Sequence, residues 1–286
     1  MLGKLVIWFS LAALVVAGFM SISCGSSSSK STACTDGPFN ILGDWQITIN
    51  DNGGGSTVGV GAIDSTGVAL FFDGTGDTLQ LPTMTGACAF SGNITAYAAP
   101  NSVPPGDPTS VSDPVEGNVN SSSSISGTFS GSDSGTISAV TFSPLSGSPT
   151  ALSGSMLGEI EGVSDFLFLD VTATTGNNMT FSGDDSLGCT ISGTLTQVAD
   201  SNVFDASYSY SGGEGCTAST STGIAFESDT DYFDFNGSAT STYLYMDLLN
   251  SAGPFVVEMF PGCGACDHAK AIPRHTSRWP MLPRTK

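Results

Sequence analysis

The chain has 286 residues and a formal net charge of −19, and this charge is unevenly distributed. All 26 acidic residues lie between Ser31 and Ala269, a stretch with no Lys and no Arg. Such a body lacks the cations that displace counterions from nucleic acid or hold a protein on an anionic lipid surface, so we expect neither partner. After the N-terminal leader about 260 residues remain, enough for one large β domain or two smaller ones.

Residues 1–23 have the three-part layout of a secretory signal peptide. Lys4 gives a positive start, an uncharged apolar run occupies residues 5–20, and small serines stand just before Cys24. The apolar run is shorter than the roughly 20 residues that a membrane-spanning helix needs. The pattern therefore predicts an export signal that is cut before Cys24.

Cys24 and the residues before it resemble the lipobox of bacterial lipoproteins. The resemblance implies that Cys24 is acylated and becomes the new N-terminus, and that Gly25, in place of aspartate, suits the outer membrane. Several acyl chains would then anchor the protein stably. Ser21 stands where the lipobox usually has leucine, so plain secretion and an uncleaved helical anchor stay open as alternatives. Residues 24–37 are predicted to form a flexible Gly/Ser-rich tether behind the anchor.

Most of the body shows the two-residue periodicity of antiparallel strands separated by Gly, Asn, Asp and Ser turns. In DWQITI, Trp45, Ile47 and Ile49 alternate with polar residues, and CTISGTLT at 189–196 alternates similarly. Further predicted strands are 67–72, 166–173, 203–210, 223–227, 231–236, 241–248 and 254–260. We therefore predict an all-β fold, an antiparallel barrel or sandwich without a helix beyond the signal peptide.

An internal echo suggests that the body consists of two related halves, 38–150 and 151–262. CAFSGNIT begins at residue 88 and CTISGTLT at residue 189, and they share Cys, Ser-Gly and a final Thr at the same spacing. The pattern does not decide whether the halves close one barrel or form two domains. The Pro-rich segment 99–114 is predicted to be a long exposed loop or edge.

The first predicted strand carries Gly43, Asp44 and Trp45, and this Gly-x-Trp resembles the first strand of lipocalins. A buried Trp on an opening strand is the alternative interpretation. As a whole, the Ser/Gly/Thr-rich body behind a lipobox is similar to β-rich lipoproteins of bacterial envelopes, a class without a shared known activity.

Apart from Cys24, the chain has six cysteines, an even number that suits disulfides in an exported protein. Guided by the echo, we predict the pairs Cys189–Cys216 across adjacent strands, Cys34–Cys88 and Cys263–Cys266. The CGAC motif of the last pair leaves two alternatives open. One is a zinc site completed by His268 and His275, and the other is a redox motif like that of thioredoxin.

The body offers no base for an acyl-transfer triad, because residues 31–267 contain no His and no Lys. We therefore predict a binding, adhesion or structural role without catalysis, toward an unknown envelope or extracellular carbohydrate or protein. The alternative is a carbohydrate-active enzyme with paired carboxylates, for example Glu159 with Glu161 or Asp184 with Asp185. Such an enzyme would need two acids that converge on a concave face lined by Trp45 or by Tyr243 and Tyr245.

One loop is a candidate cation site, although its spacing departs from that of an EF-hand. Its possible calcium ligands are Asp229, Asp231, Asp234 and Asn236. No other cofactor is expected.

Residues 263–286 carry both histidines, five of the seven cationic residues and three prolines. We predict a disordered basic tail, which either lies on the acidic body or is foreign to the evolved domain.

Overall fold

The computed structural model describes residues 37–99, 109–145, 152–160, 166–174, 176, 178–198, 201–212, 216–229, 232, 242–250 and 253–261. Within these residues the chain forms sixteen antiparallel strands and no α-helix, which confirms the predicted all-β fold. No helix in this part of the chain is both long enough and apolar enough to cross a membrane.

The first eight strands close into one barrel, in which each strand pairs with the next and β8 pairs with β1. The strands are β1 Gly43–Asp51, β2 Ser56–Ile63, β3 Ala69–Phe72, β4 Thr78–Leu81, β5 Ala89–Tyr97, β6 Ser110–Ser121, β7 Ser124–Ser130 and β8 Ser134–Thr141. Their inward side chains fill the interior, where Trp45, Phe71 and Phe129 are among the buried residues. The barrel therefore has a packed hydrophobic core of its own.

The next eight strands close a second barrel in the same sequential order, with β16 paired to β9. They are β9 Gly154–Ile160, β10 Phe166–Ala173, β11 Met179–Asp185, β12 Thr190–Gln197, β13 Val203–Ser211, β14 Ser219–Ser228, β15 Tyr243–Asn250 and β16 Gly253–Pro261. Leu169, Phe181 and Met246 belong to its buried core. The halves 38–150 and 151–262 thus each contain one closed barrel.

A third hydrophobic cluster joins the two barrels. Outward side chains of β2 and β3, such as Leu70 and Phe72, pack against outward side chains of β14, β15 and β16, such as Phe226 and Tyr245. The ring centroids of Phe72, Phe226 and Tyr245 lie 5.5–5.8 Å apart. Where these strands meet, both of their faces are buried, one inside a barrel and the other at the contact between the barrels.

Glycines inside the strands allow the small barrels to close. Gly193 of β12 lies opposite Phe181, and its Cα is covered by the Phe181 ring and the backbone oxygen of Ser207. A Cβ at Gly193 would collide with both groups. A bare Cα beneath an aromatic ring lets neighbouring strands approach and the sheet coil tightly.

In the described part of the chain, four hairpin turns share a five-residue motif, Asp-x-x-Gly-x, which was not predicted from the sequence. In one of them, the backbone N–H of Asp64 donates to the Val68 carbonyl at 2.9 Å, and the Asp64 carboxylate accepts the Val68 N–H at 2.8 Å. Gly67 adopts a φ of 82°, which glycine tolerates best. The four motifs begin at Asp51, Asp64, Asp73 and Asp185.

Three sequence interpretations need correction. Residues 110–114 of the Pro-rich segment belong to β6, where Pro114 lies just beyond the residues paired with β7 and opposite Asn93 of β5. Residues 179–185, which are absent from the predicted strands, form β11. The echo falls on β5, the fifth strand of its barrel, and on β12, the fourth strand of its barrel. It therefore marks a shared type of strand and does not align the two barrels.

Candidate functional site

The predicted pair Cys189–Cys216 forms a disulfide, with the Cα atoms 5.7 Å apart. It joins the residue before β12 to the connection between β13 and β14, and it passes the end of β13. The pairing was therefore right, but its placement across adjacent strands was wrong. Cys88 is also disulfide-bonded. The other predicted cysteine sites, Cys24, Cys34, Cys263 and Cys266, lie outside the described residues, as do His268 and His275.

Of the proposed calcium ligands, only Asp229 lies in the described part of the chain, where its backbone N–H donates to the Pro144 carbonyl at 3.0 Å. Asp231, Asp234 and Asn236 lie outside it. The residues that the structure describes contain no group of three or more His, Cys, Asp or Glu that could hold a metal ion. The calcium hypothesis thus gains no support from the described geometry.

Among the residues considered for a carbohydrate-active enzyme, those that the structure describes do not converge on an open cleft, and the side chains of Glu159 and Glu161 lie outside the description. Trp45 has 0% exposure inside the first barrel, where its indole N–H donates to the Ile41 carbonyl at 2.8 Å. Tyr243 and Tyr245 are buried between the barrels. Asp184 is exposed and Asp185 is buried, because consecutive strand residues face opposite sides. These aromatic residues therefore cannot line an open cleft.

The contact between the barrels also buries polar side chains. Thr78 of β4 donates its hydroxyl to Asp247 of β15 at 3.0 Å. The Tyr245 hydroxyl accepts the Tyr232 N–H at 3.0 Å and donates to Glu258 at 2.5 Å. Burial raises the pKa of Asp247 well above its ordinary value, and the Thr78 bond only partly opposes this effect. A protonated Asp247 is therefore favoured at this interface.

Two further buried acids have a raised pKa. Burial, followed by the nearby charge of Asp77, raises the pKa of Asp73 to about 7, although hydrogen bonds from Thr75 and Asp77 oppose the change. Burial raises the pKa of Asp44 to about 7 against a hydrogen bond from the Asn202 side chain. These groups lie in the packed interior and make the stability of the fold sensitive to pH.

The outward side chains of β9–β14 form a continuous polar surface that we call the hydroxyl face. Strand register aligns them in three rows, each crossing the strands. The rows are Thr172–Thr180–Thr194–Ser207–Thr222, Ser155–Asp170–Ser182–Ser192–Ser209–Thr220 and Phe168–Asp184–Thr190–Ser211. All of these side chains are exposed or half-buried.

The geometry of the hydroxyl face follows from the geometry of a β-sheet. Neighbours within a row are spaced by about 4.8 Å, and the rows lie about 7 Å apart. Some neighbours bond to each other, since the hydroxyl oxygens of Thr194 and Ser207 lie 2.8 Å apart and Ser155 donates to Asp170 at 2.7 Å. Each hydroxyl can donate one hydrogen bond and accept two. The face therefore offers a regular array of weak, largely uncharged bonding groups.

Phe168 interrupts this polar surface at one end of the third row. Its side chain is 57% exposed, whereas Leu167 and Leu169 on either side of it in β10 point into the barrel and are buried. Asp184 lies directly opposite on β11. An exposed ring beside hydrogen-bonding groups is the combination that ligand sites use for contact area and orientation.

The sequence held part of the signal for this surface. The alternation in CTISGTLT put Thr190, Ser192, Thr194 and Thr196 on one side of a strand. The alignment of these residues with polar positions on the other five strands of the face depends on pairing register, which sequence periodicity does not specify. We therefore did not identify the hydroxyl face from the sequence.

No protein-family model, curated protein or solved structure matches the chain.

Proposed function

We propose that the protein is an exported, lipid-anchored protein of the cell envelope, held in the outer membrane through Cys24, and that its body binds an envelope or extracellular ligand. The observation that carries the binding role is the hydroxyl face, with its rows of exposed polar side chains across six strands. Each barrel interior holds a cluster of buried apolar side chains. These features support binding at the outer surface of the second barrel, and the proposal includes no catalytic step.

Export is supported by separate observations. The leader has the layout of a signal peptide, and Cys189 and Cys216 form a disulfide of the kind that persists in oxidising compartments. The acidic body lacks Lys and Arg from Ser31 to Ala269, so attachment to an anionic membrane would depend on the lipid rather than on surface charge.

The anchor is tested by replacing Cys24 with Ser and fractionating cells that produce the full chain. The wild type and the control Ser23→Ala, which retains Cys24, should be found with the membranes and incorporate labelled palmitate. Cys24→Ser should do neither. A Cys24→Ser protein that stays membrane-bound would show that acylation at this residue is not the anchor.

The binding role is tested by measuring how the full-length protein binds to isolated cell envelopes. Ser192→Gln adds a bulky neutral side chain at the centre of the hydroxyl face, and Ser138→Gln makes the same change on exposed β8 of the first barrel. We expect Ser192→Gln to weaken binding at least about tenfold and Ser138→Gln to leave it unchanged. Equal binding by the two variants would refute the assignment to this face.

A further inference from the structure

We propose that the ligand of the hydroxyl face is an uncharged polysaccharide, and that Phe168 stacks against one of its sugar rings. This inference rests on the binding role proposed above and specifies its ligand. The observation behind it is one exposed aromatic ring placed at the end of aligned rows of hydroxyl and carboxylate groups.

The side chains around Phe168 suit a sugar. A sugar ring presents an apolar C–H face and a rim of hydroxyls, so it needs a flat apolar partner together with hydrogen-bonding groups beside it. Phe168 supplies the flat surface. Asp184 lies opposite it on β11, and Asp170 lies two residues along β10 on the same face. Carboxylate oxygens accept hydrogen bonds from hydroxyl donors, and these bonds are stronger than those between neutral groups.

Charge selects the class of polymer. The chain has no Lys and no Arg between Ser31 and Ala269, and the described hydroxyl face carries the acids Asp170 and Asp184. An anionic polysaccharide would meet like charges and no described cation to pair with its acidic groups. A neutral polymer avoids this repulsion and still uses every hydroxyl in the rows.

The length of the rows points to a polymer rather than to a single sugar. From Asp170 on β10 to Thr220 on β14 the second row crosses five strands, which corresponds to about 19 Å. Hydrogen-bonding groups recur at every strand along this distance. An extended chain lying across the strands would contact them one after another, and many weak contacts would add up to useful affinity.

The test measures retention of the purified full-length protein on cellulose, chitin and cross-linked dextran, with alginate as the anionic probe. We expect retention on at least one neutral polysaccharide and none on alginate. Phe168→Ala should weaken that retention about tenfold or more, because it removes the stacked surface. The matched control is Leu187→Ala, which removes an apolar side chain that is 76% exposed in a turn outside the rows, and it should bind like the wild type.

A second variant tests the rows themselves. Thr194→Val keeps the shape of the side chain but removes a hydroxyl from the first row, and it should also reduce retention. No retention on any neutral polysaccharide, or equal retention of Phe168→Ala and Leu187→Ala, would overturn the inference. The binding role would still stand if Ser192→Gln weakened binding to envelopes in the preceding test, so the two proposals can fail separately.

Discussion

Asp73 provides a direct test of how buried acids control stability. It is 2% exposed, and one of its carboxylate oxygens accepts hydrogen bonds from the Thr75 N–H, the Thr75 hydroxyl and the Asp77 N–H. The other oxygen is buried and has no hydrogen-bond partner within the described structure. Replacement by Asn keeps the accepting oxygen and removes the ionisation, so Asp73→Asn isolates the effect of the charge.

The expected magnitude follows from the raised pKa. The folded state holds the proton of Asp73 up to a pKa of about 7, whereas an unfolded chain releases it at the ordinary value of 3.8. Between these values the folded state binds more protons, so its stability falls as pH rises. The interval corresponds to about 4 kcal/mol in the free energy of unfolding. Relative to the wild type, Asp73→Asn should gain up to this amount between pH 4 and pH 8.

The measurement is urea unfolding of the wild type and variants at several pH values, followed by the fluorescence of buried Trp45. Ser138→Gln is the control, because it changes an exposed neutral side chain on β8 and removes no ionisable group. It should follow the wild-type pH profile. The reasoning is wrong if Asp73→Asn also follows that profile, or if both variants depart from it equally.

Four further predictions concern stability. Replacing Cys189 and Cys216 together with Ser opens a link between residues 27 positions apart and should cost about 3.5 kcal/mol in the free energy of unfolding, so an unchanged unfolding midpoint would contradict the loop-entropy argument. Gly193→Ala should cost about 1–3 kcal/mol, because the new methyl group collides with the next strand, and a melting temperature equal to that of the wild type would disprove the collision. Asp247→Asn should be more stable than the wild type at pH 8 and similar at pH 4, because its pKa is raised by burial. Thr78→Val should be less stable than the wild type at both pH values, since it leaves Asp247 without its hydroxyl donor; equal pH profiles for all three proteins would refute this pair of expectations.

The sequence predicted the strands that have one face toward the core and the other toward solvent. In β1, β10 and β13, buried residues alternate with exposed or half-buried ones, and this alternation is visible in the sequence as a two-residue period. The strand β2 was missed because its outward residues Val60 and Ala62 are covered by the second barrel and its inward positions include Gly59 and Gly61. Burial on both faces removes the contrast on which the period depends.

The hydrophobicity pattern also could not predict which element packs against the outward face of a strand. Asp247 alternates with Met246 and Leu248 as a solvent-facing residue would, yet it lies against Thr78 of the other barrel. Tyr245 was a candidate for lining a sugar-binding cleft, but it packs against Phe72 and Phe226. An outward position on a strand can face water or another domain, and only the docking of the two barrels decides which.

The order in which the barrels arise along the chain has a consequence for synthesis. The pairing of β8 with β1 lies wholly within the N-terminal half, so the first barrel can close before the second has been made. Until then Leu70 and Phe72, which the second barrel covers in the folded protein, form an exposed hydrophobic patch on the nascent chain. A chain truncated near residue 150 would therefore have a closed barrel with all its strands paired, but its exposed hydrophobic patch would make it prone to aggregate. Chaperones recognise intermediates of this kind.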